Sequence, residues 1–273
     1  MIPAVSAAAG AAASVLGEPV DLEVLKRKPG RRCTWRATGP AGTAIVKAYA
    51  SRRAPIVAAR VAALARGPAQ PLVPHLRLLD PETRVVVLDD LPGVPLRDFV
   101  IADDLAACRR AGATLAAWHH AWRHLARPLL RAHTVVDELD ILRRRASATR
   151  RLRDTVIAGA ARLTNPWPCS TVVHRDLYED QLLLDGHAIA MIDVDDAALG
   201  PPELDLGNLT AHLELLAHRA NSDTDAATTA ILDGYRAGAP VSATRLEQCR
   251  RLALLRLACI HDLPHLAERA NPA

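Results

Sequence analysis

The sequence predicts an α+β protein in two parts, a small β-rich part at the N-terminal end and a larger, mostly helical remainder. Three observations predict it. Short apolar runs punctuated by Pro/Gly turns fill residues 20–88. Leu91-Pro92-Gly93 then breaks the pattern. From Leu96 onward the apolar spacing becomes helical, with one strand-rich island over residues 171–192.

The elements follow in order. Residues 1–17 are alanine-rich and occupy the place of a signal peptide. They lack a basic segment and their apolar content is mostly alanine, so a short helix is expected. Residues 20–25 and 33–37 flank Lys28-Pro29-Gly30-Arg31, where Pro followed by Gly suits a type II turn and hence a hairpin. Gly39-Pro40-Ala41-Gly42 leads into a strand over 43–49. Residues 55–66 form an alanine-rich helix with Pro near its first turn. Residues 76–79 and 84–88 pair around Asp80-Pro81. Helices are expected over roughly 96–126, 135–163, 203–219, 224–237 and 243–268. The organisation read from this is an N-terminal lobe over 1–88, a hinge over 89–95 and a helical lobe over 96–273.

Composition narrows the function. The 273 residues suffice for one large domain or two modest lobes, and 50% hydrophobic content can fill their cores. A net charge of +4 suits an anionic small ligand. It is too mild to imply nucleic acid without a motif, and none is present. Lys26, Lys28 and Lys47 are the only lysines, the other basic residues being arginine, so each lysine deserves its own reading. Five cysteines without a CxxC pair argue against a disulfide framework or a zinc site and fit a reducing cytoplasm. No run reaches the ~18 apolar residues of a membrane span. Oligomeric state is not legible.

The chemistry is carried by His174-Arg175-Asp176-Leu177-Tyr178-Glu179-Asp180-Gln181, followed by Met191-Ile192-Asp193-Val194-Asp195. The first run matches the protein-kinase catalytic-loop pattern H-R-D-L-x-x-x-N, with Gln181 where Asn is usual. Phosphoryl transfer needs positioning and charge neutralisation more than covalent chemistry. On this pattern Asp176 accepts a hydrogen bond from an acceptor hydroxyl and takes its proton late. Asp193 holds Mg²⁺ against the nucleotide phosphates, since Mg²⁺ wants hard oxygen ligands. Gln181 offers an amide oxygen as Asn does, one methylene further out. The plain alternative is a helix-capping Asp cluster beside a core histidine; the joint occurrence of the two runs favours the chemistry.

The stretch from Ile192-Asp193 to Gly200-Pro201-Pro202-Glu203-Leu204-Asp205-Leu206-Gly207 closely resembles the region after the metal site in aminoglycoside phosphotransferases. The chain is also similar to that family, and its choline kinase-like relatives, at Gly93, at Ala116-Ala117-Trp118-His119 and at Ile231-Leu232-Asp233-Gly234-Tyr235. The resemblance spans roughly residues 15–265. It implies the two-lobed protein-kinase-like fold, and a Mg²⁺-dependent transfer from ATP or GTP to a hydroxyl of a small acceptor such as an antibiotic or amino sugar. It implies that Lys47 contacts nucleotide phosphates. It also implies that backbone groups of Asp89 and Leu91 bind adenine, with Leu88 at the back of that pocket. Residues 43–49 alternate, so Ile45, Lys47 and Tyr49 share a strand face. A lysine there is costly to bury without an anion, which phosphate would supply; an edge-strand lysine that discourages aggregation is the alternative.

Several readings stay open on the sequence. Arg31, with Lys28 and Arg32, either reaches the phosphates or is a solvated turn charge. No Ser, Thr or Tyr lies between Asp193 and Asp205, and that stretch is too short to cradle a peptide, which points to a small-molecule acceptor. Arg175 is then structural or a contact for the transferring phosphate. Residues 51–66 contain no acid to pair with Lys47, leaving Asp193, Glu18, Glu23 or the nucleotide alone. That gap, with Gln181, motivates a rival reading as a nucleotide-binding pseudokinase scaffold. Asp205 is expected to cap a helix starting near Leu206 and, by resemblance, to brace the catalytic loop. Asp195 reads as a second metal ligand, a solvated turn residue or an acceptor contact, and Glu214 as another acceptor contact. His119, His120 and His124 read as a partly exposed helix without acidic partners. Residues 127–170 hold nine arginines against four acids, which suits a neutral, weakly cationic or anionic acceptor better than a polycation.

Overall fold

A computed structural model of the chain describes residues 5–124, 130–149 and 151–271. The chain divides into two compact units, Met1–Pro92 with Ala190–Asp195, and Gly93–Ile189 with Asp196–Ala273.

The first unit contains α1 (Val5–Leu16), β1 (Asp21–Lys28), β2 (Arg32–Gly39), β3 (Gly42–Tyr49), α2 (Ala54–Leu64), β4 (Leu76–Asp80) and β5 (Val85–Asp89). The five strands form an antiparallel sheet in the order β1-β2-β3-β5-β4. The expected first turn closes with Arg31 N–H donating to Lys28 O at 3.0 Å, and Gly30 takes the left-handed φ of 66° that such a turn asks of its third residue. Register then sorts the side chains. Arg32 pairs with Tyr49, Thr34 with Lys47, and Lys47 with Val86, so these residues share one face. The alternate residues Cys33, Trp35, Val46 and Val87 belong to an apolar cluster with Ala8, Ala11, Ala12 and Leu16 of α1. That spacing gives α1 a single buried stripe. The segment Ala190–Asp195 joins this unit through Met191 N–H, which donates to Leu72 O at 2.7 Å.

The second unit contains β6 (Val94–Pro95), α3 (Leu96–Ile101), α4 (Leu105–His124), α5 (Val135–Ala148), α6 (Arg153–Ala161), β7 (Thr171–Val173), β8 (Leu182–Asp185) and the start of β9 (Ala188–Met191). It continues with β10 (Ala198–Gly200), α7 (Glu203–Ala220), α8 (Asp225–Gly238), α9 (Ala243–His261) and α10 (Pro264–Ala270). β6, β8 and β9 form one small sheet, and β7 pairs with β10 in another. α5, α6, α7, α9 and α10 share a core of Leu142, Val156, Leu215, Leu252, Leu255 and Leu266. α4 and α8 approach closely: a Cβ on Gly112 would fall 1.9 Å from Ile231 O, and one on Gly234 would fall 2.0 Å from Arg109 O. Only glycine fits either position, and this contact brings His119 of α4 beside Tyr235 of α8.

Three expected helices are each broken. The helix over 96–126 divides at Asp103, whose φ of 56° ends α3, while the Asp104 carboxylate accepts from Ala107 N–H and starts α4; residues 125–126 lie outside the described residues. The helix over 135–163 ends at Thr149, which is extended. The helix over 243–268 divides at Asp262, left-handed at φ 52°, with Pro264 opening α10. β6 and β10 are too short to leave a periodic signal. Among the described residues no helix is long and apolar enough to cross a membrane.

Candidate active site

In the first unit, Lys47 is 4% exposed and its Nζ lies 2.7 Å from both Asp193 Oδ1 and Asp195 Oδ1. Arg32 forks onto both oxygens of Asp193 at 3.0 Å each and also reaches Asp195 Oδ2. Tyr49 donates its hydroxyl to Asp195 Oδ2 at 2.6 Å. The register places these partners: Arg32, Lys47 and Tyr49 project from the same face of β2 and β3. Arg53 and Arg60, the latter on α2, donate to the carbonyl of Asp195. Two cations thus meet two carboxylates, the arrangement that lets charge be buried at all.

The electrostatics agree with the geometry. Burial pushes the Asp193 carboxyl up, but the charges of Lys47 and Arg32 outweigh it and hold the group well below the usual carboxylate range. Burial alone would lower Lys47, and the two aspartates turn that into a net rise. Asp193 itself has φ 59°, in the left-handed region that aspartate visits more readily than most residues.

This cluster answers the question left by the acid-free segment 51–66. The partners of Lys47 are Asp193 and Asp195, not Glu18 or Glu23, and Asp195 supplies the carboxylate that α2 lacks. Asp195 is therefore no solvated turn residue: it is 2% exposed, and both its oxygens are hydrogen-bonded inside the unit. On the hairpin, Arg31 stands exposed at the turn while Arg32, one residue on, points to the carboxylates. A one-residue step along a strand reverses the face, which is why the charge count alone did not separate the two.

At the end of β5, Leu88 is buried and pairs with Ile45 across the strands, on the Lys47 face. Asp89 gives its N–H to His75 O at 3.1 Å, and its carboxylate takes the His75 N–H and ring and Arg77. Leu91, half-buried, lies just past the strand.

In the second unit, β7 runs into the catalytic-loop sequence. Asp205 accepts from His174 N–H and from Arg175 N–H, both at 2.7 Å, and Asn208 donates to Arg175 O at 2.6 Å. Arg175 is held at φ 79° by these contacts on either side of it. Behind Asp205, His119 Nε2 lies 3.1 Å from Oδ2 and His119 Nδ1 lies 3.0 Å from the Tyr235 hydroxyl. Two expectations are corrected here. Asp205 does not cap a helix, because α7 begins two residues earlier with Pro202 before it; it braces the loop. His119 is fully buried and has an acidic partner, one 86 residues away in sequence.

The side chain of Asp176 is 46% exposed, so its carboxylate is reachable. Gln181 is buried, and its Oε1 accepts from Tyr178 N–H at 3.2 Å. The extra methylene lets the amide curl back onto its own loop, which engages the atom that metal ligation would use. Tyr178 stacks on His212 with ring centroids 4.9 Å apart. Burial, with Asp180 adding to it, pushes the Glu179 carboxyl up to about 7. Glu214 is paired with Arg250 and, at 2.7 Å, with Arg269. These partners lie on α9 and α10, so the carboxylate expected to contact an acceptor is paired with arginines of its neighbouring helices.

Among the described residues no group of three or more His, Cys, Asp or Glu is placed to hold a metal by itself. Mg²⁺ in phosphoryl transfer asks for less, one or two carboxylates plus phosphate oxygens. Asp193, a hard-oxygen donor whose side chain keeps 22% exposure where that of Asp195 keeps 2%, fits that demand. The sequence singles out Lys47, Asp176, Asp193 and Asp205, and the structure pairs Lys47 with Asp193 and sets Asp205 against the backbone just before Asp176. The contacts of Tyr49 and Asn208 are ones that single residues do not advertise.

The sequence model of a family described as "Phosphotransferase enzyme family" matches residues 30–242. No curated protein matches the chain by sequence. Among solved structures, the choline kinase of Streptococcus pneumoniae is similar at 14% identity and TM-score 0.64, covering 96% of this chain and 89% of that one. An aminoglycoside-3'-phosphotransferase of type VIII is similar at 20% identity and TM-score 0.65, covering 90% and 98%. A spectinomycin phosphotransferase solved with ADP and spectinomycin is similar at 12% identity and TM-score 0.63, covering 100% and 90%. At such identities the likeness is one of fold, the α+β, protein-kinase-like fold that the sequence predicts.

Proposed function

The chain belongs to the phosphotransferase enzyme family, and from that premise we propose that it transfers the γ-phosphate of ATP or GTP, with Mg²⁺, to a hydroxyl of a small acceptor such as an antibiotic or amino sugar. The observation that carries this reading is Asp176: a half-exposed carboxylate on a loop whose backbone is gripped by buried side chains. Asp176 accepts the hydrogen bond of the acceptor hydroxyl and takes its proton as the phosphate leaves. Arg175 serves the loop through its backbone.

Lys47 and Arg32 present positive charge to the phosphates, and Asp193 holds the metal, whose role when bound is to offset negative charge on the phosphate oxygens. Asp195, with Tyr49, keeps Lys47 in place. Adenine or guanine sits past the end of β5. Asp89 offers its carbonyl there, its N–H being given to His75; Leu91 offers its backbone, and Leu88 lines the back. The ADP in the spectinomycin enzyme supports a nucleotide here. A cytoplasmic setting, where nucleotide is plentiful and the five cysteines stay free, suits this chemistry. The rival scaffold reading draws on the missing helix acid and on Gln181. The Asp195–Lys47 pair answers the first and supports transfer, while Gln181, its oxygen on Tyr178 N–H, is the motive that stays with the scaffold.

The test is to incubate purified protein with γ-labelled ATP or GTP and a panel of hydroxylated compounds. Label in an acceptor, absent without Mg²⁺, supports the proposal. Tight nucleotide binding with no labelled product from any compound favours the scaffold.

A further inference from the structure

Arg256 lies deep in α9, beside Leu254, Leu255 and Leu257, all buried. It is itself only 7% exposed. An arginine there carries its charge into an apolar core, which is costly unless partners meet it. Its Nη2 donates to Asn208 Oδ1 at 2.7 Å, and its Nη1 lies 3.5 Å from Glu138 Oε1. The other oxygen of Glu138 is 2.9 Å from His133 Nε2. Burial pushes the Glu138 carboxyl up, but Arg256 and His133 prevail and lower it, so the buried acid stays ionised behind the guanidinium. α7 and α9 come close enough for this because residue 207 is glycine, where a Cβ would fall 2.6 Å from Cys249 Cβ.

The fork has one further partner. Nη2 lies 3.6 Å from Asp176 Oδ1. A pair that long, to a half-exposed carboxylate, adds little to stability. Hydrophobic residues often replace a buried ionic group without loss of stability. The arginine's planar fork is the group that can address Asn208, Glu138 and Asp176 at once. Asn208 also holds Arg175 O, so one guanidinium touches both the loop's brace and its carboxylate.

We infer that Arg256 is a positioning residue for phosphoryl transfer, orienting the Asp176 carboxylate toward the acceptor hydroxyl while Glu138 and His133 hold the guanidinium from behind. The inference rests on Asp176 acting as the base.

Three variants test it: Arg256→Lys, Arg256→Met, and the double variant Glu138→Gln/Arg256→Met. The double variant removes both charges, so neither is stranded in the core if the single change fails to fold. Each is crystallised and assayed. In the Met variants Asp176 leaves its rotamer, kcat falls about 10- to 100-fold, as small misplacements of a reacting group do, and KM for nucleotide and acceptor holds within roughly twofold. Arg256→Lys recovers part of kcat. An unmoved Asp176 in the double variant, or kcat and KM shifting together in step with lost thermal stability, overturns the inference. Should no acceptor be phosphorylated even by the parent protein, the functional reading fails, while the Asp176 rotamer still decides the positional claim.

Discussion

Asp205 takes the main-chain N–H of Arg175 at 2.7 Å and so holds in place a residue with φ of 79°. A non-glycine residue in that region costs on the order of 1–3 kcal/mol, which the surrounding hydrogen bonds must offset. The bracing carboxylate is itself fixed by His119, and His119 by Tyr235.

Asp205 uses one oxygen for Arg175 N–H and the other for His174 N–H. In Asp205→Asn the side chain keeps one oxygen and turns the other into an amide donor, so one of the two loop N–H groups loses its acceptor. We expect a stability loss of about 1–3 kcal/mol, from a buried donor left unsatisfied, and a kcat at least tenfold lower. Denaturant unfolding and steady-state kinetics check both. Wild-type kcat in a folded Asp205→Asn protein contradicts the bracing role.

Glu179 gives a pH signature. Its folded carboxyl sits at about 7, above its ordinary value, so the folded state favours the proton. The stabilising contribution is complete below the unfolded pKa, ~4.3, and is lost as pH rises through 7. Above that, the fold carries a buried charge. Glu179→Gln removes the titration. Its stability relative to the parent should rise by about 2 kcal/mol between pH 5 and pH 8, at ~1.4 kcal/mol per pH unit of linked proton. A constant difference across that range refutes this account of Glu179.

Acceptor charge is the third expectation. Glu138 is engaged by Arg256 and His133, and Glu214 by Arg250 and Arg269. These acids are neutralised within the unit, and the polyamine groups of an aminoglycoside would need free ones. Neutral, weakly cationic or anionic hydroxyl compounds should give the higher kcat/KM, by at least tenfold. Steady-state kinetics on a kanamycin-like polyamine beside neutral and singly charged acceptors measure it. A preference for the polyamine reverses the charge argument.

How far the sequence reached depended on the range of each interaction. Alternation along 43–49 was enough to put Lys47 and Tyr49 on one strand face, and the catalytic-loop pattern with the run after it offered Asp176 and Asp193 as candidates. The partners of Lys47 were narrowed but not chosen, since the choice between Asp193, Glu18 and Glu23 depends on chain path. From sequence Asp195 reads equally as a metal ligand, a solvated turn residue or an acceptor contact, because nothing local reveals its burial. Arg31 and Arg32 were separable only once the hairpin register was known. His119 and Asp205 are far apart in sequence, and a histidine's neighbours along its own helix said nothing of the acid that meets it. The broken helices failed for a related reason. A left-handed residue such as Asp103 or Asp262 ends a helix without disturbing the apolar spacing around it.

The most direct test of the account is single-turnover transfer by Asp176→Asn, with nucleotide affinity measured by calorimetry on the same preparation. Asn keeps the shape and cannot take a proton, and general-base assistance is typically worth ~10²–10⁴ in rate. We predict a transfer rate lower by that order with Mg²⁺-nucleotide affinity nearly unchanged. A near wild-type transfer rate from Asp176→Asn would contradict the account at its centre.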